Sequence, residues 1–310
     1  MKILITGGAG NLACQLTHLL PPEAELLLMD IAEKPVAPVR SDIRFIQGDL
    51  TDTTAMESLF QLEKPDQVIH LASLLSGSTE ENRPLGWKIN ATAGFELLDL
   101  CLRHQVKRVL FPSSLAVWGG SLPDPLPENH ETWPDGLYGV TKVAVERLGH
   151  YYFRKHGLDF RAVRLPIIIS PYAPQGAASA YASHAFVQGV QEGRFRFKVT
   201  PETRVSMMYV KDALRVLTGL LNADPARLSR RVYNVQAISP NGQELAEAVR
   251  LRLPNADIDF DPDPEVAALI DSWPGVIKDA ASTLDWDWTP KWTLDRLADD
   301  MVESLQHVKN

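Results

Sequence analysis

Tyr138 and Lys142 stand four residues apart at the start of a strongly amphipathic segment, so a phenol and an ammonium stack one helical turn apart on one face. A tyrosine with an unperturbed pKa of about 10 is protonated at neutral pH. A nearby cation favours phenolate and draws that pKa toward the working range, which makes the pair a proton-transfer device. Ser113 and Ser114 close the apolar run Arg108-Val109-Leu110-Phe111. A strand ending there puts a hydroxyl at the carboxyl edge of a sheet, where Ser114 can hold a substrate oxygen while Tyr138 takes its proton. Each feature alone has a bland counterpart: a surface pair on any helix, or a serine bonding within a turn. Their conjunction with a second motif changes the odds.

That second motif is Thr6-Gly7-Gly8-Ala9-Gly10-Asn11-Leu12-Ala13, which follows the first apolar strand and opens a helical stretch. Glycines permit a tight turn and a close backbone approach to a pyrophosphate, and the helix start supplies free N–H groups. Gly7, Gly8, Gly10, Asn11 and Leu12 are therefore candidate cofactor ligands. Asp30 lies 20 residues after Gly10, at the end of the second strand, where a carboxylate can bind ribose hydroxyls. It would repel a 2′-phosphate, so the expected cofactor is NAD. Asp49 and Leu50, after the third strand, either flank the adenine or, for Asp49, cap the next helix.

These groups need a scaffold that brings strand ends together. Short apolar runs at Ile3–Thr6, Leu26–Met29, Ile43–Gln47, Val68–Leu71, Arg108–Phe111 and Phe160–Leu165 alternate with helical patterns. One such pattern is the stripe Leu12, Leu16, Leu19 and Leu20, stopped by Pro21 and Pro22. Another is the segment carrying Tyr138, whose expected buried stripe is Val140, Val143, Ala144, Leu148, Tyr151 and Tyr152. Near-continuous apolar strands separated by helices predict an α/β fold with a doubly wound parallel (Rossmann) sheet, ligands sitting beyond the strands' carboxyl ends. The rhythm then fades: 166–176, rich in Pro and Gly, reads as a loop, and the segment from about Asn241 reads as helices with one or two short strands and several tryptophans. The expected organisation is an NAD-binding domain over 1–165, with a return of chain near 205–235, and a smaller C-terminal substrate-binding domain occupying most of 166–310. Asp212, opening a helical stretch, reads as a cap.

Composition excludes several classes. The net charge of -8 argues against nucleic acid, whose phosphates need clustered Lys and Arg. No apolar run is long enough to span a bilayer, and the chain opens directly into a strand rather than a signal peptide. Cys14 and Cys101 make no disulfide framework, so the expected location is the cytoplasm. None of the eight histidines has a ligand spacing, and no metal is expected.

Thr6 to Ala13, Asp30, His70-Leu71-Ala72, Asn90, Pro112-Ser113-Ser114 and Tyr138-Gly139-Val140-Thr141-Lys142 together resemble the extended short-chain dehydrogenase/reductase (NAD-dependent epimerase/dehydratase) family over nearly the whole chain. The resemblance implies pyrophosphate binding after Gly7, cofactor contacts from His70, Leu71, Ala72, Asn90, Tyr138, Lys142 and Leu165, and catalysis by Ser114, Tyr138 and Lys142. It also implies a homodimer. On its residues alone, His70 either lines the cofactor pocket or packs at its strand end.

Narrower stretches are similar to the L-threonine 3-dehydrogenase branch: Leu74 to Asn82, Thr203-Arg204 with Met207-Met208-Tyr209, Asp271-Ser272-Trp273-Pro274, and Asp285 to Trp288. This implies a β-hydroxy amino acid substrate, L-threonine oxidised to 2-amino-3-oxobutanoate, with Ser76, Ser114, Tyr138, Ser179, Arg204 and Trp273 around it. The tryptophans also fit simple core anchors, Met207 and Met208 fit packing, and Arg204 fits an internal ion pair. The chain departs from that branch at Ala177–Ala182, which keeps the Ser179 hydroxyl but has Ala180 in place of a carboxylate, and at Ile167 in place of glycine. Competing readings are a dehydrogenase of another β-hydroxy acid or sugar acid, a nucleotide-sugar epimerase, and a non-catalytic NAD-binding protein. Leu115 and Ala116 after Ser114 leave no acid pair for dehydratase chemistry.

Overall fold

The computed structural model describes residues 1–173 and 177–308. In chain order its elements are β1 (Lys2–Thr6), α1 (Asn11–Leu16), β2 (Glu25–Asp30), β3 (Arg44–Gln47), α2 (Thr53–Glu63), β4 (Gln67–His70), α3 (Ser76–Glu81), α4 (Arg83–Trp87) and, after a wide turn at 88–92, α5 (Ala93–Arg103). Then come β5 (Arg108–Ser114), α6 (Leu137–His156), β6 (Asp159–Leu165), β7 (Ile167–Ile169), α7 (Tyr181–Glu192), β8 (Arg194–Phe197), β9 (Met207–Tyr209) and α8 (Val210–Asn222). The chain closes with β10 (Val232–Asn234), α9 (Gly242–Arg252), β11 (Asp257–Phe260), α10 (Pro264–Asp271), α11 (Ala280–Trp286) and α12 (Leu294–Val308).

Seven strands form one parallel sheet in the order β3-β2-β1-β4-β5-β6-β10. Both faces are covered, and the strands show it residue by residue. Ile3 and Ile5 enter one core while Leu4 enters the other, and Leu26 and Leu28 oppose Leu27 and Met29 in the same way. The order reverses between β1 and β4, so the connections leave to opposite sides and open a crevice at the strands' carboxyl ends. This is the Rossmann-like doubly wound sheet expected from the alternating pattern.

The second half returns to that sheet once, through β10 at its edge. Two parallel pairs, β7 with β9 and β8 with β11, build the remainder with helices α7 and α9–α12. Trp273, Trp286, Trp288, Leu297 and Met301 belong to the same apolar cluster as Ile3 and Leu28, so these elements share a core with one face of the sheet. Among the described residues no helix is long and apolar enough to cross a membrane.

Several local expectations need correction. The first helix ends at Leu16, and Leu19 is exposed, because the chain breaks into turns before the prolines rather than at them. Within α6, Val140 and Tyr151 are exposed; the buried side is Thr141, Lys142, Val145, Glu146 and Tyr152. An apolar-only stripe misplaces that face because two of its buried side chains are charged. Asp52, not Asp49, caps α2, its carboxylate accepting from the Ala55 N–H at 2.9 Å. Asp212 lies inside the first turn of α8 and is fully buried. It accepts the backbone N–H groups of Lys291 at 2.9 Å and Trp292 at 3.1 Å, fastening the C-terminal segment instead of capping its own helix. The 166–176 loop contains strand β7, and its residues 174–176 lie outside the described residues.

Candidate active site

A cavity of about 570 Å³ runs along the carboxyl ends of β1, β4, β5 and β6. Its lining brings together Gly7, Gly10, Asn11 and Leu12 of the glycine loop and α1, Ser114, Tyr138 and Lys142, and Ser76, Ser179 and Trp273, with Leu71 and Leu165. The sequence thus converges on one place from six elements and the 177–180 turn.

The glycine loop is built for close approach. Gly7 has φ +70°, and a Cβ there would sit 2.5 Å from the Ala72 nitrogen, so only glycine lets β1 turn against the start of the loop after β4. Gly8 does not line the cavity; its N–H donates to the Met29 carbonyl at 2.9 Å, tying the loop to β2. The Asp30 carboxylate accepts from Ala9 N–H and Ala32 N–H, both at 3.0 Å, which fixes it beside the loop. A glycine cradle, a helix start and a strand-end carboxylate are the donor and acceptor set that a dinucleotide requires, and these residues fit NAD.

Other candidates act at one remove. Ala72 presents its backbone to Gly7. Asn90 brackets Leu74, accepting from its N–H at 2.8 Å and donating to its carbonyl at 3.0 Å, and so sets the path of the loop after β4. His70 packs at its strand end: Nδ1 meets Thr6 Oγ1 at 2.7 Å, the ring stacks on Phe111, and Nε2 is buried without a partner. Burial, with Lys142 adding to it, pushes that imidazole down to about 3, so it is neutral. Asp49 folds back on the Thr51 N–H, Leu50 packs against the second core, and neither lines the cavity. Arg204 is also outside; its guanidinium donates to the Ser239 carbonyl and hydroxyl at 3.0 and 3.1 Å. The structure therefore does not bring Arg204 to the cavity with the other expected substrate contacts.

At the centre, α6 begins against the turn that follows β5. A Cβ on Gly139 would stand 1.9 Å from the Ala116 carbonyl oxygen, so glycine alone admits this contact, and it delivers Tyr138 next to Ser114. Lys142 is buried, donates to the Pro112 carbonyl at 3.1 Å, and lies 5.4 Å from the Tyr138 ring centroid. Burial pushes its amine down to about 8, against the opposing charge of Glu146. Burial pushes the Tyr138 phenol up to about 12, against a hydrogen bond with Ser114. The net direction is thus opposite to the expected lowering by Lys142: burial dominates, and the opposing contribution comes from Ser114. Sequence reasoning missed Ser73 and Tyr172, which line the cavity, and Ser170, whose hydroxyl accepts from Asn11 Nδ2 at 2.9 Å and joins the loop after β7 to the glycine loop. Ser73 adjoins the His70-Leu71-Ala72 run and was the one with a usable signal.

The sequence profile described as the NAD dependent epimerase/dehydratase family matches residues 3–235. The chain belongs to that family. It is an NAD-dependent dehydrogenase. Full-length relatives of the family include the mitochondrial L-threonine 3-dehydrogenase of Bos taurus, 34% identical over 97% of this chain and 82% of that protein. The crystal structure of L-threonine dehydrogenase from Clostridium difficile superposes with a TM-score of 0.92 at 31% identity, covering 99% of this chain and 98% of that one. A monomeric L-threonine 3-dehydrogenase from a metagenome superposes with a TM-score of 0.92 at 29% identity, covering 99% and 100%.

The packing of Gly139 carries a direct expectation. Gly139→Ala must push the start of α6 away from Ala116 and move Tyr138 by a sizeable fraction of an ångström. Turnover should fall on the order of 10²-fold while NAD binding, followed by fluorescence quenching, stays near wild type. Unchanged turnover would show that the α6 start does not set the position of Tyr138.

Proposed function

We propose that the chain oxidises the β-hydroxyl of L-threonine to 2-amino-3-oxobutanoate. The observation that carries this is the meeting of Ser114, Tyr138 and Lys142 on one cavity that the glycine loop also lines. A bound NAD, held by the glycine loop and Asp30, would supply the hydride acceptor and a positive charge. Ser114 orients the substrate oxygen, and the Tyr138 phenolate takes its proton as the C–O single bond becomes a carbonyl. Lys142, fixed on the Pro112 carbonyl, keeps a cation beneath the phenol and favours its ionised form. Among the described residues, Tyr138 is the only acid and Lys142 the only base that lines the cavity, apart from tyrosine Tyr172. The substrate's ammonium and carboxylate therefore fall to Ser73, Ser76, Ser179 and backbone groups, with Trp273 closing the apolar side. Hydroxyl partners without a full counter-charge support weaker or broader binding of β-hydroxy amino acids, and the same machinery serves a related β-hydroxy or sugar acid.

Asp30, held beside the glycine loop, is proposed to select NAD over NADP. The two buried, unpaired cysteines, Cys14 and Cys101, suit a reducing compartment such as the cytoplasm. The exposed apolar side chains Trp87, Phe95, Val140 and Tyr151 on α4, α5 and α6 support a homodimer through this face, although one structural relative is monomeric.

NADH formation from L-threonine, L-serine, L-3-hydroxynorvaline, D-erythronate and a UDP-sugar tests the assignment. L-Threonine should give the highest kcat/KM, and Tyr138→Phe should lower turnover by roughly 10²–10⁴-fold without loss of NAD binding. Reduction of NAD by D-erythronate but not L-threonine would reject the substrate while leaving the proton-transfer site intact. Asp30→Ser should narrow the preference for NAD over NADP; a wild type that uses both equally contradicts the role of Asp30. Light scattering should report the mass of a dimer, and Tyr151→Glu should convert it to monomer; a monomeric wild type refutes the interface.

A further inference from the structure

One turn beyond Lys142, α6 buries a carboxylate that the chemistry described so far does not use. Glu146 is 1% exposed. Its Oε1 accepts from Ser113 Oγ at 2.5 Å and from Arg164 Nε at 2.9 Å, and its Oε2 accepts from Arg164 Nη2 at 2.7 Å. Arg164 lies 4.9 Å from the Trp118 ring and donates Nη1 to Asn234 Oδ1 at 3.3 Å, on the neighbouring strand β10. The amide of Asn234 in turn donates to the carbonyls of Glu128 and Lys278, both at 3.2 Å. The adjacent serines of β5 are thus divided between two tasks, Ser114 toward Tyr138 and Ser113 toward Glu146.

A buried ion pair of this kind is a poor way to add stability, since apolar side chains of equal volume commonly do as well. Its placement matters more. Tyr138, Lys142 and Glu146 fall at i, i+4 and i+8 along one stripe of α6. We propose that Glu146 is a positioning residue: clamped by Arg164 and Ser113, its carboxylate fixes α6 against β5 and β6 and holds Lys142 in the ammonium form beneath Tyr138.

The surroundings of Lys142 leave this task to Glu146. From α6 it faces Tyr138, a neutral phenol, and Glu146. From β4 it faces His70, which is neutral. From β5 it meets the Pro112 carbonyl and, at 4.7 Å, the Phe111 ring. From β6 comes Arg164, whose charge Glu146 matches. Removing the carboxylate charge leaves the lysine with desolvation and an unmatched guanidinium, and both favour the neutral amine. Removing Arg164 instead leaves an unmatched carboxylate, which favours the ammonium. The two changes therefore move Lys142 in opposite directions.

The inference rests on the proposed role of Lys142, so the test reads the amine separately from turnover. In protein labelled with ¹³C at lysine Cε and free of cofactor, the Lys142 resonance is the one lost in Lys142→Met. Its wild-type midpoint should lie near pH 8. Glu146→Gln should lower it by about one unit or more, and Arg164→Gln should raise it. Ser113→Ala, which removes a hydrogen bond but no charge, should leave it in place. If Glu146→Gln fails to fold, the upward shift in Arg164→Gln carries the test alone. A midpoint unmoved by loss of either charge overturns the proposal. With NAD and substrate, Glu146→Gln should also move the rising limb of the kcat/KM profile to higher pH. A shifted amine with an unshifted profile upholds the action of Glu146 on Lys142 and rejects the proton-transfer role of Lys142.

Discussion

The approach of α6 to β5 and β6 is the constraint on which the rest of the site depends. A helix laid on a parallel sheet normally buries an apolar stripe, but here the buried side includes an ammonium and a carboxylate. Such groups are tolerated only when each finds a partner in the sheet. The Pro112 carbonyl takes Lys142, and Arg164 with Ser113 takes Glu146. Those partners exist because β5 and β6 end together at this level, in register through Ser114 and Leu165. Gly139 completes the fit by removing the one Cβ that would hold the helix off the turn after β5.

The same burial sets the electrostatics. Taking the cluster out of water pushes Lys142 down to about 8 and Tyr138 up to about 12. Both groups are thereby biased toward neutrality, and a proton transfer between substrate and phenol needs that bias reversed when the reaction begins. Lys142, beside the Tyr138 ring, is the protein's own cation placed to oppose that bias at the phenol. His70, pushed down to about 3, stays outside this exchange and serves the packing of β1 against β4.

The fold was legible because its signals are local and redundant. Six apolar strands, the glycine loop and Asp30 were all visible as short runs with the right spacing, and each corresponds to a strand or loop of the sheet. Tyr138, Lys142 and Ser114 were visible because their residue types name a chemistry. What escaped depended on long-range pairing. Glu146 looks like a surface glutamate on any helix until Arg164, 18 residues on, is brought beside it. The buried stripe of α6 was misread for the same reason, since charged residues were assumed to face water. Asp212 resembles a helix cap until Lys291 and Trp292 return to it from the far end of the chain. Arg204 fits a substrate contact by resemblance, and only the fold shows its Nε turned to Ser239 instead.

In the proposed reaction hydride leaves a carbon whose hydroxyl is held by Ser114 and Tyr138 and departs on a free nicotinamide product. L-Threonine deuterated at C3, incubated with the protein and NAD, addresses this directly by mass spectrometry of the released cofactor. One deuterium is expected on each reduced nicotinamide, in equal amount to the keto product and absent with Tyr138→Phe. Reduced cofactor without deuterium, or label retained in an amino acid with no net NADH released, would contradict it.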